Sequence, residues 1–211
     1  MTAYHAVVGT GKVKKGETVL IVGAGGLGFN ALQVALSIGA RVIVSDKRQE
    51  VLDEAAKFGV PNEDIIPKEE SVLDFVKKKK LVIDTIIDFV GLPQTFETSQ
   101  EAGMLIIQIL RVANMLTTIR CIVRHGGKLV QVGLLAPELT LNNLKAVRKH
   151  LSILCSYGGT MTDLKECIAL ISEGKLHPQV VSGSLDDFPQ VLEDLHHGKI
   201  KSRIALIPQG L

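Results

Sequence analysis

Residues 18–28, with the sequence TVLIVGAGGLG, decide the fold of this 211-residue chain. The first five are apolar and rich in β-branched side chains, which is typical of a short strand buried on both faces. After the glycines, apolar residues recur at positions 27, 31, 34, 35 and 38, the spacing of one helix face. A strand, a glycine-rich turn and a helix in this order predict the start of a parallel β-α-β unit.

The remaining sequence repeats this alternation of short apolar strands and amphipathic helices. The predicted strands are 41–45, 65–66, 85–89, 128–132, 151–156 and 203–207, and the predicted helices are 50–58, 72–79, 94–102, 162–173 and 185–197. Such alternation predicts an α/β protein with a doubly wound parallel sheet, the Rossmann fold. We expect a single dinucleotide-binding domain over residues 1–211.

Composition and charge exclude several classes of partner. The formal net charge of +2 gives no reason to expect nucleic acid or an anionic membrane. The apolar stretch 104–123 contains two arginines, which are costly inside a bilayer, so we predict a buried or amphipathic helix there. The three cysteines have no disulfide or metal-binding spacing, and no signal peptide opens the chain, which favours a cytoplasmic location.

The glycine pattern Gly23-x-Gly25-x-x-Gly28 predicts a dinucleotide site, because a strand precedes it and a helix follows it. Gly23 permits the tight turn, and Gly25 lets the backbone approach a pyrophosphate at the helix N-terminus. Gly28 allows the helix to pack closely on the sheet. Glycines that merely form a turn are the alternative.

An acidic residue completes this pattern. Asp46 follows the second predicted strand, 23 residues after Gly23, where a carboxylate accepts hydrogen bonds from the adenosine ribose. Its charge would repel a 2′-phosphate, so the sequence favours NAD over NADP. Lys47 and Arg48 follow directly and reduce that repulsion. A helix cap is the alternative role for Asp46.

With this site assembled, the chain resembles the C-terminal, coenzyme-binding domain of medium-chain, zinc-type alcohol dehydrogenases. The resemblance rests on six segments in the family's order: TAYHAV (2–7), KGETVL (15–20), DFVG (88–91), GGKLVQVG (126–133), GKLHP (174–178) and GKIKSR (198–203). Each segment alone is a weak match to the family, but the order of all six along the chain is specific to it.

The resemblance implies further cofactor contacts. Val132, Leu134 and Tyr157 would lie along the nicotinamide, Thr2 would approach the nicotinamide from a hinge, Val90 would flank the adenosine, and Arg203 would contact the pyrophosphate. Simple sheet packing is the alternative for the valines and Leu134, and a solvated cation is the alternative for Arg203. The full predicted cofactor set is Thr2, Gly23, Gly25, Gly26, Leu27, Gly28, Asp46, Lys47, Arg48, Val90, Val132, Leu134, Tyr157 and Arg203.

Two departures from the family pattern stand out. The family's N-terminal catalytic domain, with its zinc ligands and substrate pocket, is missing from this sequence, and no histidines or cysteines here have ligand spacing. We therefore predict no metal site and assign no catalytic residues. The second departure is residues 103–122, an insertion of 20 residues of which 13 are apolar.

The predicted function is the NAD(H)-binding domain of a zinc-type alcohol or polyol dehydrogenase, which transfers hydride between an alcohol and NAD in the intact architecture. We expect the chain alone to be inactive, with an alcohol or carbonyl substrate and zinc only where a catalytic domain is present. One alternative is a domain of a zinc-free, NADPH-dependent quinone or enoyl reductase. Another is a non-catalytic nucleotide-binding or dimerisation module, and a sheet edge at 139–156 would support a homo-oligomer.

Overall fold

A computed structural model describes residues 1–102, 126–197, 199–200 and 203–208. The predicted insertion at 103–122 lies outside these residues. The described part of the chain contains one central sheet with helices packed against it and a second, smaller sheet.

Five parallel strands form the central sheet. They are β1 Thr18–Val22, β2 Arg41–Ser45, β3 Thr85–Asp88, β4 Lys128–Gln131 and β5 Ser152–Cys155, and they lie in the order β2-β1-β3-β4-β5. The predicted parallel sheet is thereby confirmed. The sequence placed these strands to within one residue at each end, because each is a short apolar run bounded by glycine or charged residues.

The helices fill the connections between the strands. A first helical stretch begins as α1 Thr2–Tyr4 and continues as the π-helix His5–Thr10; the other α-helices are α2 Gly28–Ile38, α3 Gln49–Lys57, α4 Val72–Lys78, α5 Pro93–Ala102, α6 Asn143–Lys149, α7 Met161–Ser172 and α8 Phe188–His196, with 3₁₀ turns at Asn62–Asp64 and Leu185–Asp187. No helix in the described ranges is long and apolar enough to cross a membrane.

Alternate side chains of β1 enter two different hydrophobic clusters. Val19 and Ile21 pack with α2 and α3 on one face, whereas Leu20 and Val22 pack on the other face with Phe75 of α4 and Phe96 of α5. Both faces of the sheet are therefore covered by helices. This is the doubly wound, Rossmann-type arrangement that the apolar run at 18–22 predicts.

A second sheet corrects the prediction for the C-terminal region. β6 Val180–Ser184 pairs in parallel with β7 Arg203–Ile207, apart from the central sheet. The sequence analysis placed 203–207 in the central sheet and did not predict β6. Only the first two residues of the β6 sequence VVSGS are apolar, and a glycine inside a strand weakens it, so the local pattern gives a weak strand signal.

The predicted strand at 65–66 is also wrong. Ile65 makes only an isolated parallel bridge with Val44, and the Ile66 amide donates to the Val44 carbonyl at 2.9 Å. Pro61, the 3₁₀ turn Asn62–Asp64 and Pro67 leave just two residues between them. These two residues continue the sheet edge without forming a strand.

The strand order reverses at β1, which positions the functional site. The chain passes from β1 to β2 on one side and then returns to place β3 on the other side of β1. Loops that leave the carboxyl ends of β1 and β3 therefore diverge. In open α/β sheets, a crevice at this reversal is where ligands bind.

Candidate functional site

The glycine-rich turn leads from β1 into α2, and its three glycines have different surroundings. A Cβ on Gly23, whose φ is +81°, would lie 2.5 Å from Val90 Cγ2, and a Cβ on Gly28 would lie 1.9 Å from the Gly23 carbonyl oxygen. These two positions are closed by the protein itself. A Cβ on Gly25 would meet only the Arg48 Nη2 atom, at 3.4 Å.

The turn therefore leaves room above Gly25 for a group from outside the protein. It lies at the N-terminus of the 11-residue helix α2, whose N-cap residue Leu27 forms no side-chain cap. Amide groups at such an end attract phosphate oxygens. The contact of Gly25 with a pyrophosphate stays a prediction.

Asp46 lies beside the turn, at the carboxyl end of β2. Its Oδ2 atom accepts a hydrogen bond from the Ala24 amide at 2.8 Å, and its Oδ1 atom accepts one from the Arg48 amide at 2.9 Å. The Asp46 side chain is only 7% exposed. The carboxylate thus stands next to the glycine-rich turn, where the sequence predicts a ribose contact, and it also supports the backbone of that turn.

The Arg48 side chain folds back onto the same carboxylate. Its Nε atom lies 3.1 Å from Asp46 Oδ1 and its Nη2 atom lies 3.3 Å from Asp46 Oδ2. The Arg48 side chain is 34% exposed, and the adjacent Lys47 is exposed. Sequence reasoning placed both cations near the ribose but did not predict this ion pair.

The turns after β3 and β4 meet at the same edge of the sheet. Gly91 has a φ of +73°, and a Cβ there would lie 2.1 Å from the Gly133 carbonyl oxygen. The Asp88 backbone carbonyl also accepts hydrogen bonds from the amides of Val132, at 2.9 Å, and Gly133, at 3.0 Å. The two turns therefore form one packed unit next to the glycine-rich loop.

The side chain of Asp88 organises this unit. Its Oδ1 atom accepts from the Val90 amide at 2.8 Å and the Gly91 amide at 3.0 Å, and its Oδ2 atom accepts from the Thr95 hydroxyl at 2.8 Å. Asp88 is fully buried. The sequence analysis gave it no separate role, although a carboxylate at the end of a buried strand is a signal that could have been used.

Of the residues predicted to contact the nicotinamide, one is buried and two are exposed. Val132 is buried in the core, whereas Leu134 is 76% exposed and Tyr157 is 86% exposed. Leu134 and Tyr157 follow β4 and β5, so both lie at the carboxyl edge of the sheet. Val90, predicted at the adenosine, packs against Gly23.

Thr2 and Arg203 are far apart in sequence but line one cavity. Its volume is about 340 Å³, and its walls also include Gly26, Leu27 and Asn30 of the glycine-rich segment. The structure therefore brings the residues predicted at the pyrophosphate together with Thr2. Within this wall, the Nδ2 atom of Asn30 donates a hydrogen bond to the Gly26 carbonyl at 2.7 Å.

One further ion pair lies near this cavity. The Nδ1 atom of His5 lies 2.8 Å from Asp163 Oδ2, and Asp163 forms a capping box with Thr160 at the start of α7. The hydrogen bond from the Thr160 backbone, together with those from the Thr160 hydroxyl and His5, lowers the pKa of Asp163. This contact joins the first helical stretch to α7.

Within the part of the chain that the structure describes, no group of three or more His, Cys, Asp or Glu side chains is placed to hold a metal ion. The polar groups that the structure gathers at this edge are the backbone amides of the turns and the carboxylates of Asp46 and Asp88.

Comparison with known proteins finds similarity to dehydrogenases and reductases. The family described as "Alanine dehydrogenase/PNT, C-terminal domain" matches residues 2–89. An alcohol dehydrogenase from Geobacillus stearothermophilus is 28% identical over 208 residues, covering 98% of this chain and 55% of its own length. An acryloyl-coenzyme A reductase from Sulfurisphaera tokodaii is 27% identical, covering 92% of this chain and 50% of its own length.

Solved structures show the same similarity in three dimensions. Acetophenone reductase from Geotrichum candidum, determined in complex with NAD, superimposes with a TM-score of 0.79 at 29% identity, over 97% of this chain and 52% of its own. The alcohol dehydrogenase from Aeropyrum pernix gives a TM-score of 0.78 at 26% identity, over 98% of this chain and 55% of its own.

These matches confirm the resemblance to the coenzyme-binding domain of alcohol dehydrogenases and the Rossmann fold. These relatives and solved structures match 92% or more of this chain, and the family model matches residues 2–89. The chain spans about half the length of the relatives it matches.

Proposed function

We propose that this chain binds NAD(H) and serves as the coenzyme half of an alcohol or polyol dehydrogenase, in which hydride passes between the nicotinamide and the carbon that carries the substrate oxygen. The observation that carries the proposal is the open space above Gly25, at the N-terminus of α2 and beside the Asp46 carboxylate. The predominantly alcohol-dehydrogenase relatives support the same reaction class.

Each group of residues then has a defined task. The amides of the glycine-rich turn and Arg203 hold the pyrophosphate, and Asp46 accepts the ribose hydroxyls. Val90 flanks the adenosine, while Thr2, Val132, Leu134 and Tyr157 define the nicotinamide end. Asp88 keeps the turns after β3 and β4 in the shape that this binding needs.

We propose that the zinc ion and the substrate pocket come from the part of the relatives that this chain does not span. A catalytic zinc site needs three protein ligands, and the described residues supply no such group. We therefore assign no zinc-dependent step to residues of this chain. Alcohol oxidation is expected only when that second half is present.

A substitution at Gly25 tests cofactor binding. Gly25→Val should abolish NADH binding in isothermal titration calorimetry, because a side chain would fill the space above the turn. The matched control is Gly127→Val, at the opposite edge of the sheet, where the nearest atom to an added Cβ is 3.8 Å away. NADH binding that survives in Gly25→Val would place the cofactor elsewhere.

A second candidate is an enoyl-type reductase, which the acryloyl-coenzyme A reductase relative favours. Such an enzyme would need no zinc and would prefer NADPH. Asp46 argues against it, since a carboxylate repels a 2′-phosphate. A third candidate is a non-catalytic dimerisation module that pairs two copies through the edge strand β5. Such a module would not need the cofactor, so the calorimetric titration with NADH distinguishes it from a coenzyme-binding domain.

A further inference from the structure

His5 lies where the segments that carry two of the predicted nicotinamide contacts meet. It is the first residue of the π-helix and follows Thr2 by three positions. A Cβ on Gly159, in the loop between β5 and α7, would lie 3.4 Å from His5 Cβ and 2.6 Å from Met1 Cγ. The same loop carries Tyr157. The first helical stretch and the loop after β5 are therefore packed against each other around His5.

The His5 ring is held in one place by a fixed acceptor. Its Nδ1 atom lies 2.8 Å from Asp163 Oδ2, and an ionised carboxylate only accepts, so Nδ1 is the donor. The same oxygen also accepts from the Thr160 amide at 2.6 Å and from the Thr160 hydroxyl at 2.8 Å. The absence of a side chain at Gly9 leaves room for the ring, since a Cβ there would lie 2.6 Å from Nδ1.

The first helical stretch depends on such contacts to keep its shape. Residues 5–10 form a π-helix, a conformation that is rare and is found mostly at functional sites. At its far end, the Thr10 hydroxyl donates to the Ser156 hydroxyl at 3.0 Å. Of these two side-chain hydrogen bonds, the one from His5 lies nearer to Thr2. Its acceptor is 11% exposed, so solvent screens it little.

This hydrogen bond also determines the shape of the cavity at Thr2. Thr2 lines the cavity together with Leu164 and Ile168 of α7. The distance between the first helical stretch and α7 therefore sets the width of the cavity there, and the bond from His5 to Asp163 joins these two elements.

We propose that His5 is a positioning residue that holds Thr2 and Tyr157 in place at the nicotinamide end of the site through its hydrogen bond to Asp163. This role rests on the proposed function. His5 acts through the segments that it joins and not by contact with the cofactor. Its loss therefore weakens binding of the nicotinamide and leaves binding of the adenosine and pyrophosphate unchanged.

Two ligands that differ at the nicotinamide test this role. NADH and ADP-ribose share the adenosine, the pyrophosphate and the second ribose, and ADP-ribose lacks the dihydronicotinamide ring. In His5→Ala, we expect the dissociation constant of NADH in calorimetry to rise about fivefold to tenfold, the order of one lost hydrogen bond to a charged group. The dissociation constant of ADP-ribose should change by less than about twofold, well under one such bond.

The fluorescence of the dihydronicotinamide ring gives a readout that does not depend on affinity. The chain contains no tryptophan, so no tryptophan emission overlaps the absorption of the ring. At saturating NADH, we expect the bound ring to show lower fluorescence polarisation in His5→Ala than in the unaltered chain. A variant that is only less stable would show the unaltered signal once it is saturated.

Two further substitutions separate the hydrogen bond from the volume of the ring. His5→Asn places an amide nitrogen near the position of Nδ1 and should restore most of the NADH affinity. His5→Phe keeps a ring above Gly9 but has no donor, so it should show the same selective loss as His5→Ala.

A matched control removes a histidine with a similar hydrogen bond elsewhere. His197 Nδ1 lies 2.8 Å from the Glu193 carbonyl at the end of α8. His197→Ala should leave both dissociation constants, and so their ratio, unchanged.

The outcomes are distinct. If the unaltered chain bound neither NADH nor ADP-ribose, the proposed function itself would fail. If His5→Ala and His5→Phe weakened both ligands equally, or bound neither, His5 would serve only the stability of the fold and the positioning role would be wrong. An unchanged ratio of the two affinities in these variants would contradict it as well, with NADH binding intact.

Discussion

Asp46 and Asp88 both lie at the carboxyl end of a strand of the parallel sheet, Asp46 directly after β2 and Asp88 as the last residue of β3, yet their surroundings differ. The sequence identified Asp46 because its distance from the glycine pattern is a known spacing. It did not reveal the Arg48 ion pair, since neighbouring residues in a turn adopt many side-chain arrangements that spacing does not specify. The position of Asp88 at the end of a buried strand was an available signal, but its partners, two backbone amides and the Thr95 hydroxyl, follow no known spacing.

Removing the Asp88 carboxylate should destabilise the protein. Asp88→Ala would leave the amides of Val90 and Gly91 without their acceptor, one of them in a buried residue. Each such loss costs about 1–3 kcal/mol, so we expect the free energy of unfolding to fall by about 2–4 kcal/mol. Urea denaturation followed by circular dichroism measures this change.

The conservative variant provides the control. Asp88→Asn keeps an oxygen at the Oδ1 position, so it should retain most of the stability and most of the NADH affinity. In Asp88→Ala, Val90 loses its fixed position against Gly23, and NADH affinity should fall as well. Equal stability of the Ala and Asn variants would show that the side chain does not hold these turns.

Among the strands and helices, the sequence predicted those whose ends are marked by neighbouring residues. The bounds of β1, β2 and α2 follow from apolar runs and from Gly39, which ends α2 with a φ of +85°. The helix α6 was missed because its large apolar residues, Leu144 and Val147, are exposed and give it no buried apolar face. The first helical stretch was missed because its burial depends on contact with α2 rather than on its own periodicity.

The capping box of α7 makes stability depend on pH. Asp163 accepts from the Thr160 amide at 2.6 Å and lies 2.8 Å from His5, which lowers its pKa from the usual 3.8. A lowered pKa means that the stabilisation is fully present above about pH 4 and is lost as the pH falls through the pKa of the folded protein.

Asp163→Asn should therefore lower the melting temperature at pH 7 by a few degrees, since a cap contributes about 1 kcal/mol. Calorimetry at pH 7 and pH 3 should show that the difference between the two proteins shrinks at the acidic pH. A difference of the same size at both values would mean that the charge of Asp163 does not contribute.

At the scale of the whole molecule, the carboxyl edge of the central sheet collects residues from the entire described chain. Residues near positions 25, 46, 90 and 134 come from four successive strand ends, and Thr2 and Arg203 come from the two ends of the described region. The sequence predicted this convergence because parallel strands place all their carboxyl ends at one edge. The separate β6–β7 sheet was not predicted, because a glycine and two serines of β6 weaken the local pattern of that strand.

The central claim is that a dinucleotide binds across this edge, with its ribose on Asp46 and its pyrophosphate on the glycine-rich turn. Titration of NADH into the ¹⁵N-labelled protein, followed by amide chemical shifts in NMR spectra, tests it most directly. We predict that the amides of Gly25, Gly26, Asp46, Arg48 and Val90 shift together with one dissociation constant, while those of Gly16 and Lys128 at the opposite edge stay unchanged. Shifts confined to the β6–β7 sheet, or none at the carboxyl edge, would contradict the claim.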